Sequence, residues 1–170
     1  MVRAFVALGS NLEDPVAQVQ AGARALESLP DTRLYSCSSL YRTAPVGYAD
    51  QPDFINAVCS IETGLSASDL MRSLLAIEQS RGRARVMQGG PRTLDLDLLL
   101  YGEMECAEAS LMLPHPRLHE RAFVLYPLAE IAPGLVVPGR GRIEELLRDC
   151  AGQVIERLAE RAGPERNTSA

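Results

Sequence analysis

Two aspartates one residue apart, Asp95 and Asp97, stand inside the apolar stretch "LDLDLLLY", behind an approach rich in glycine that carries an arginine, "GGPRT". In an extended strand alternate side chains share a face, so both carboxylates point one way while Leu94, Leu96 and Leu98 point the other. Leu99 and Tyr101 should continue the aspartate face as apolar. Two like charges beside a core are strongly disfavoured unless a cation joins them. Bound Mg²⁺ would remove the conflict, because neighbouring carboxylates can bridge two ions about 3.5–4 Å apart. Asp-x-Asp by itself is a frequent motif, and a solvated polar face on a half-buried strand is the bland alternative.

Arg81, Arg83, Arg85 and Arg92 precede this pair, with Gly82, Gly89 and Gly90 among them. They make either a solvated loop or a lid whose guanidiniums close over a polyphosphate. All 17 basic residues are arginine, so a Walker A lysine and a Schiff-base lysine are excluded. Phe54 and Asn56 also stand two apart, beside the long loop "APVGYADQPD". They are a core aromatic and a turn-end amide, or a ring and an amide that grip a flat heterocycle by stacking and by its edge. His115 lies between two prolines, with His119 four residues on. Zinc would need further ligands at suitable spacing. A hydrogen-bond donor to an anion, assisted by Arg121, fits better, and the end of a strand is the alternative.

The elements that must position these residues follow from period and punctuation. "VRAFVAL" is apolar on both faces and reads as a central strand. Asp14 with Pro15 opens a helix whose buried face is Val16, Val19, Ala23 and Leu26. Strands "LYSCSSLYRT" and "FINAVCSIET" follow. Ser66 and Asp69 cap a second helix with the stripe Met71, Leu74, Leu75 and Glu78, which Gly82 ends. The aspartate strand completes the order β-α-β-β-α-β, a ferredoxin-like α+β core. An additional C-terminal strand and a helix from about Ile143 to Arg161, with Ile143, Leu147, Cys150, Val154 and Leu158 on one side, should cover the sheet's other face and give an α/β/α three-layer sandwich. One domain over 1–162 and a disordered tail over 163–170 are expected.

A net charge of -5 and a pI near 5.1 argue against a general nucleic-acid binder. Cys37, Cys59, Cys106 and Cys150 show no zinc or CxxC spacing, which predicts reduced thiols in a cytoplasmic protein. No apolar run approaches the length of a membrane span or a signal-peptide core.

Taken together, "ALGSNL", "YRTAPVG", "QPDFINA", "GPRTLDLDLLLYG" and "LPHPRLHERAFVLYPLAEIAP" resemble, in order, the hallmarks of the 6-hydroxymethyl-7,8-dihydropterin pyrophosphokinase family, from about Ala4 to Pro138. The resemblance implies a folate-pathway enzyme. It would transfer pyrophosphate from ATP to the hydroxymethyl group of the dihydropterin, with attack at the β-phosphorus and release of AMP. It further implies Asp95 and Asp97 as ligands of two Mg²⁺ ions, and Arg83 and Arg92 as stabilisers of the transferring group. Glu78, Arg85, Arg92, His115 and Arg121 would be ATP contacts. Phe54 and Phe123 would hold the pterin between them, with Asn56 and the backbone around Thr43, Ala44, Pro45 and Val46 reading its edge. A monomer working with no nucleic acid and no membrane is the corresponding expectation. Gln88 and Gly89 replace the basic residue and tryptophan of many members, and Ser110 replaces a family arginine, which implies rearranged nucleotide contacts. A nucleotide-sugar transferase with one metal, and a ligand-binding module of ferredoxin-like shape, are the rival readings.

Overall fold

The chain folds as mixed helices around an antiparallel sheet, and the computed structural model describes residues 1–45, 50–82 and 93–164. The two-faced apolar run becomes β1 (Val2–Ser10), paired on one side with β4 (Phe54–Thr63) and on the other with β5 (Asp95–Tyr101). Its alternation feeds two separate cores: Ala4, Val6 and Leu8 enter one cluster, Phe5 and Ala7 the other. The sheet is completed by β2 (Thr32–Cys37) and β3 (Ser39–Thr43), both on β4, and by β10 (Glu156–Arg161) on β3. Among the described residues β5 has β1 as its only strand partner in this sheet, so there the strand that carries the aspartates is an edge.

Two helices pack against the first cluster. α1 (Pro15–Glu27) starts as its sequence requires, with Pro15 in the first turn and the Asp14 carboxylate accepting from Ala17 N at 3.3 Å. α2 (Ala67–Ser80) starts on Ser66, whose Oγ accepts from Asp69 N at 3.1 Å, and gives way to Gly82 at φ +80. Its buried face is Leu70, Leu74, Ile77 and Glu78, whereas Met71 and Leu75 are exposed. The expected stripe was therefore rotated by one residue: three apolar positions compete for two rows, and docking against the sheet edge selects Leu70 and Ile77.

After β5 the chain forms the hairpin β6 (Cys106–Glu108) and β7 (Leu111–Leu113) and a short 3₁₀ turn at Leu118–Glu120. Then come α3 (Ala122–Ile131), the hairpin β8 (Val136–Val137) and β9 (Gly141–Arg142), and α4 (Ile143–Asp149). Val124, Leu125 and Leu128 of α3 and Ile143 and Leu146 of α4 supply the second cluster, with Leu99, Leu100 and Val58 from the sheet. The predicted helix to Arg161 is corrected: it stops at Asp149, and Glu156–Arg161 is a strand. Spacing at Val154 and Leu158 cannot distinguish the two, and the open edge of β3 offers a ladder that local sequence does not reveal. Val154 is exposed. Beyond the strand, Cys37 N donates to Pro164 O at 2.9 Å.

The expectation of four reduced cysteines also fails. Cys37 and Cys59 are directly opposite on β2 and β4, with Cα atoms 4.2 Å apart, and form a disulfide; Cys106 and Cys150 are free. Residues 22 apart in the chain meet through strand register, which spacing alone does not show. No helix among the described residues is long and apolar enough to cross a membrane.

Candidate active site

One rung of the sheet organises the polar residues. Asp95 on β5 is opposite Gly9 on β1, Gly9 opposite Asn56 on β4, Asn56 opposite Tyr41 on β3, and Tyr41 opposite Arg157 on β10. Directly opposed residues share a face, so all five side-chain positions lie on the side covered by α3. Asp97 stands two pairs further along, opposite Ala7. The middle of this floor is kept low by Gly9 and Ala7: a methyl group on Gly9 would stand 3.1 Å from Asn56 Oδ1. Asp95 and Asp97 are both half-buried and their carboxylates face the same way, as the alternation requires.

The alternation then breaks. Val6 pairs with Leu98 but Phe5 with Leu100, so Leu99 is an extra residue and the face changes. Leu99 continues the aspartate side in the second cluster, as expected. Tyr101 does not: it packs against the first cluster and its hydroxyl donates to Leu65 O at 2.6 Å.

Glu78, the misfit on the α2 stripe, is buried, and its Oε2 accepts from Leu96 N at 2.8 Å, between the two aspartates. An edge strand exposes such N–H groups, and a buried carboxylate satisfies this one. The rim of β5 also bounds a cleft of about 200 Å³, whose lining includes Met71, Asp97, Ser110, Met112, His115 and Pro116. His115 is anchored by its own N–H on Leu99 O at 2.9 Å. Burial, chiefly, and the positive Arg121 push its pKa down to about 4, against a smaller opposing pull from Asp95. Its Nδ1 accepts from Arg117 N at 3.2 Å, so the neutral ring carries its proton on Nε2. His115 is thereby a neutral donor beside Asp95, and burial would resist its becoming a cation.

Across the floor, Phe54 is opposite Thr43 and shares the face of Asn56, as the spacing of two predicts. Asn56 Nδ2 donates to Thr43 Oγ1 at 2.9 Å, which fixes the amide. Phe123, in the first turn of α3, is half-buried at the margin of the second cluster, and the Arg121 guanidinium lies 5.4 Å from its ring centroid. Thr43 and Pro45 are half-buried and Ala44 is exposed. Val46 and the arginines Arg83, Arg85 and Arg92 lie outside the described residues.

Sequence reasoning missed two supports. Buried Asn11 donates from Nδ2 to Gln51 Oε1 at 2.8 Å and to Pro52 O at 3.1 Å, tying the end of the long loop to the end of β1. Its signal was the "GSN" that closes the first strand, read as a turn alone. The other is Glu130 on α3, which accepts from Tyr41 Oη at 2.7 Å, from Ser39 N and Oγ, and from Arg157 and Arg161. Burial alone would raise this carboxyl, but those donors outweigh it and hold the pKa low, while burial and the same carboxylate push the Tyr41 hydroxyl well up.

Asp95 and Asp97 fit Mg²⁺ by donor chemistry: it prefers oxygen, and binds through one or two carboxylates plus substrate phosphates. No cluster of three or more His, Cys, Asp or Glu suited to a metal occurs among the described residues. The arrangement therefore suits a cation completed by a phosphorylated ligand, with a flat acceptor on the floor nearby.

Comparison with known proteins gives a concordant result. The family described as 7,8-dihydro-6-hydroxymethylpterin-pyrophosphokinase (HPPK) matches residues 5–133. A protein of Pseudomonas aeruginosa named 2-amino-4-hydroxy-6-hydroxymethyldihydropteridine pyrophosphokinase is 50% identical over 156 residues, covering 92% of this chain and 96% of its own. A Haemophilus influenzae protein of the same name is 45% identical, covering 93% and 99%. Among solved structures, a Plasmodium falciparum HPPK-DHPS with pteroate aligns over 86% of this chain and 44% of its own, with TM-score 0.67 and 13% identity, a likeness of fold.

Proposed function

Because the chain belongs to the 7,8-dihydro-6-hydroxymethylpterin-pyrophosphokinase family, we infer that it transfers the pyrophosphoryl group of ATP to 6-hydroxymethyl-7,8-dihydropterin, giving the pterin diphosphate and AMP in folate biosynthesis. The observation that carries this reading is the rung itself: Asp95, with Asp97 on the same face two residues on, continues across Gly9 into Asn56, so a phosphate site and a flat-ring site would adjoin on one face.

In this reading the hydroxymethyl oxygen bonds to the β-phosphorus, the bond from that phosphorus to the bridging oxygen of AMP breaks, and the hydroxyl proton is lost to solvent. Two Mg²⁺ ions held by Asp95 and Asp97 would polarise the phosphates and lower the pKa of the attacking hydroxyl. The remaining work belongs to the protein. The neutral Nε2–H of His115 donates to a phosphate oxygen, and Arg121 adds charge beside it. Glu78 keeps β5 straight at Leu96, so the two aspartates stay in register. Asn56, fixed by Thr43, reads the heterocycle's edge with the backbone of Thr43, Ala44, Pro45 and Val46, and Phe54 and Phe123 enclose its faces. Arg83, Arg85 and Arg92 are assigned to the polyphosphate and the transferring group. The rim cleft, with Ser110 and His115 in its lining, suits the adenine end.

The strand order β5-β1-β4 with β2 and β3 on the outer side of β4 supports a ferredoxin-like core, and the two clusters support three layers in one domain. All the assigned residues come from one chain, so a monomer suffices, and an enzyme that consumes ATP belongs in the cytoplasm where ATP is supplied. The test is release of AMP with and without the hydroxymethyl pterin. AMP should form only with the acceptor; equal release in both conditions would show that the acceptor is wrong.

A further inference from the structure

Helix α3 carries Arg121 and Phe123 at its start, yet its N-terminus has no cap of its own: Arg121 occupies that position without a side-chain hydrogen bond to the helix. The missing partner arrives from far along the chain. Gln153 Oε1 accepts from Ala122 N at 2.9 Å, and its Nε2 donates to Glu120 O at 2.8 Å, so one amide brackets Arg121 on both sides. The turn that presents Gln153 is seated by buried Cys150, whose carbonyl accepts from Gln153 N at 3.0 Å. At the other end of α3, Glu130 accepts from Arg157 Nη2 at 3.3 Å and from Arg161 Nη1 at 3.1 Å, and through Tyr41 it holds the outer end of the Asp95–Gly9–Asn56 rung. Gln153, Arg157 and Arg161 all lie beyond residue 133, where the family match ends.

We infer that the segment from Gln153 to Arg161 is a positioning device: two side-chain clamps grip α3 at its two ends and set where Phe123 and Arg121 stand over the sheet. The middle of α3 does not need them, since Val124, Leu125 and Leu128 are buried in the second cluster. Loss of Gln153 would leave the helix docked while its first turn loses a partner for Ala122 N. The ring carried there would then drift, which loosens its hold on the acceptor. The clamps therefore act on substrate placement more than on folding.

This inference rests on the assignment of Phe123 and Asn56 to the acceptor. Its test uses the full chain and steady-state kinetics with the hydroxymethyl dihydropterin and ATP-Mg²⁺. Gln153→Leu should raise the acceptor KM about 5- to 10-fold while kcat stays within about twofold, the pattern of lost positioning in binding. Gln153→Glu keeps an acceptor for Ala122 N at a helix N-terminus that favours negative charge but sets a second oxygen against Glu120 O, and should leave the acceptor KM between the wild-type and Gln153→Leu values. Arg157→Gln with Arg161→Gln should repeat the Gln153→Leu pattern from the opposite end. An unchanged acceptor KM in Gln153→Leu, or a fall in thermal midpoint with no change in KM, would overturn the inference. Phe123→Ala serves as the control: if it leaves the acceptor KM unaltered, the acceptor assignment fails and takes the clamp with it, whereas a raised KM there beside an unchanged Gln153→Leu refutes the clamp alone.

Discussion

The two faces of the sheet are built from the same strands and do opposite work. Toward α1 and α2, β5 sends Leu96 and Leu98 into an apolar cluster with Val6, Leu8 and Ile61. Toward α3 the same strand sends Asp95 and Asp97, and its neighbours answer with Gly9, Ala7, Asn56 and Tyr41. The first face is packed to hold the sheet flat against its helices. The second is left open in the middle and closed at the far end by Glu130, which accepts from Tyr41, Ser39, Arg157 and Arg161. One face thus provides rigidity and the other spends it on chemistry, and the difference is set by residue parity within a single strand.

That contrast can be broken in three places. Removing a carboxylate should separate activity from stability most sharply: Asp97→Ala should lower kcat by about 10³-fold, since it would strip a ligand from the proposed pair of metal ions, while the thermal midpoint stays near wild type. A thermal midpoint that collapses with the activity would mean the aspartate supports the fold instead. The mirror experiment is Leu98→Ala on the opposite face, which should cost about 2–5 kcal/mol in denaturant unfolding but leave the KM values of the folded fraction near wild type. A third and smaller effect concerns His115. An imidazole near 6.5 when unfolded and about 4 when folded binds its proton more readily in the unfolded chain. Its contribution is therefore complete above about pH 6.5 and is lost as pH falls through about 4, up to about 2 kcal/mol. His115→Gln should flatten the stability curve over that interval; an unaltered slope would mean that the ring is not held neutral by the fold.

The aspartate face was legible because it is local. Alternation placed Asp95, Asp97, Phe54 and Asn56, and the capping residues Asp14 and Ser66 placed the helix starts, all within a few residues of the feature they explain. What escaped depends on partners distant in sequence. Met71 and Leu75 satisfy a helical stripe as well as Leu70 and Ile77 do, and only the docked sheet edge decides between them. Glu156–Arg161 becomes a strand because β3 has a free side, and Cys37 meets Cys59 because β2 and β4 are in register. Pro127 disguised α3, since a proline inside a helix removes one N–H bond, a loss that burial of Val124, Leu125 and Leu128 offsets. The shared face of the candidate site residues was readable in the sequence; its scaffolding, Gln153 and Glu130 above all, was not.

The extra residue at Leu99 gives the second hydrophobic layer one leucine more than strict alternation would. Leu96 and Leu98 serve one core, Leu99 and Leu100 serve the other, so seven residues present two carboxylates and still feed both layers. Deleting Leu99 would restore even alternation with Leu100 still opposite Phe5 and Tyr101 still opposite Ala4. Such a deletion would thin the packing beneath α3 while both carboxylates keep their places on the strand.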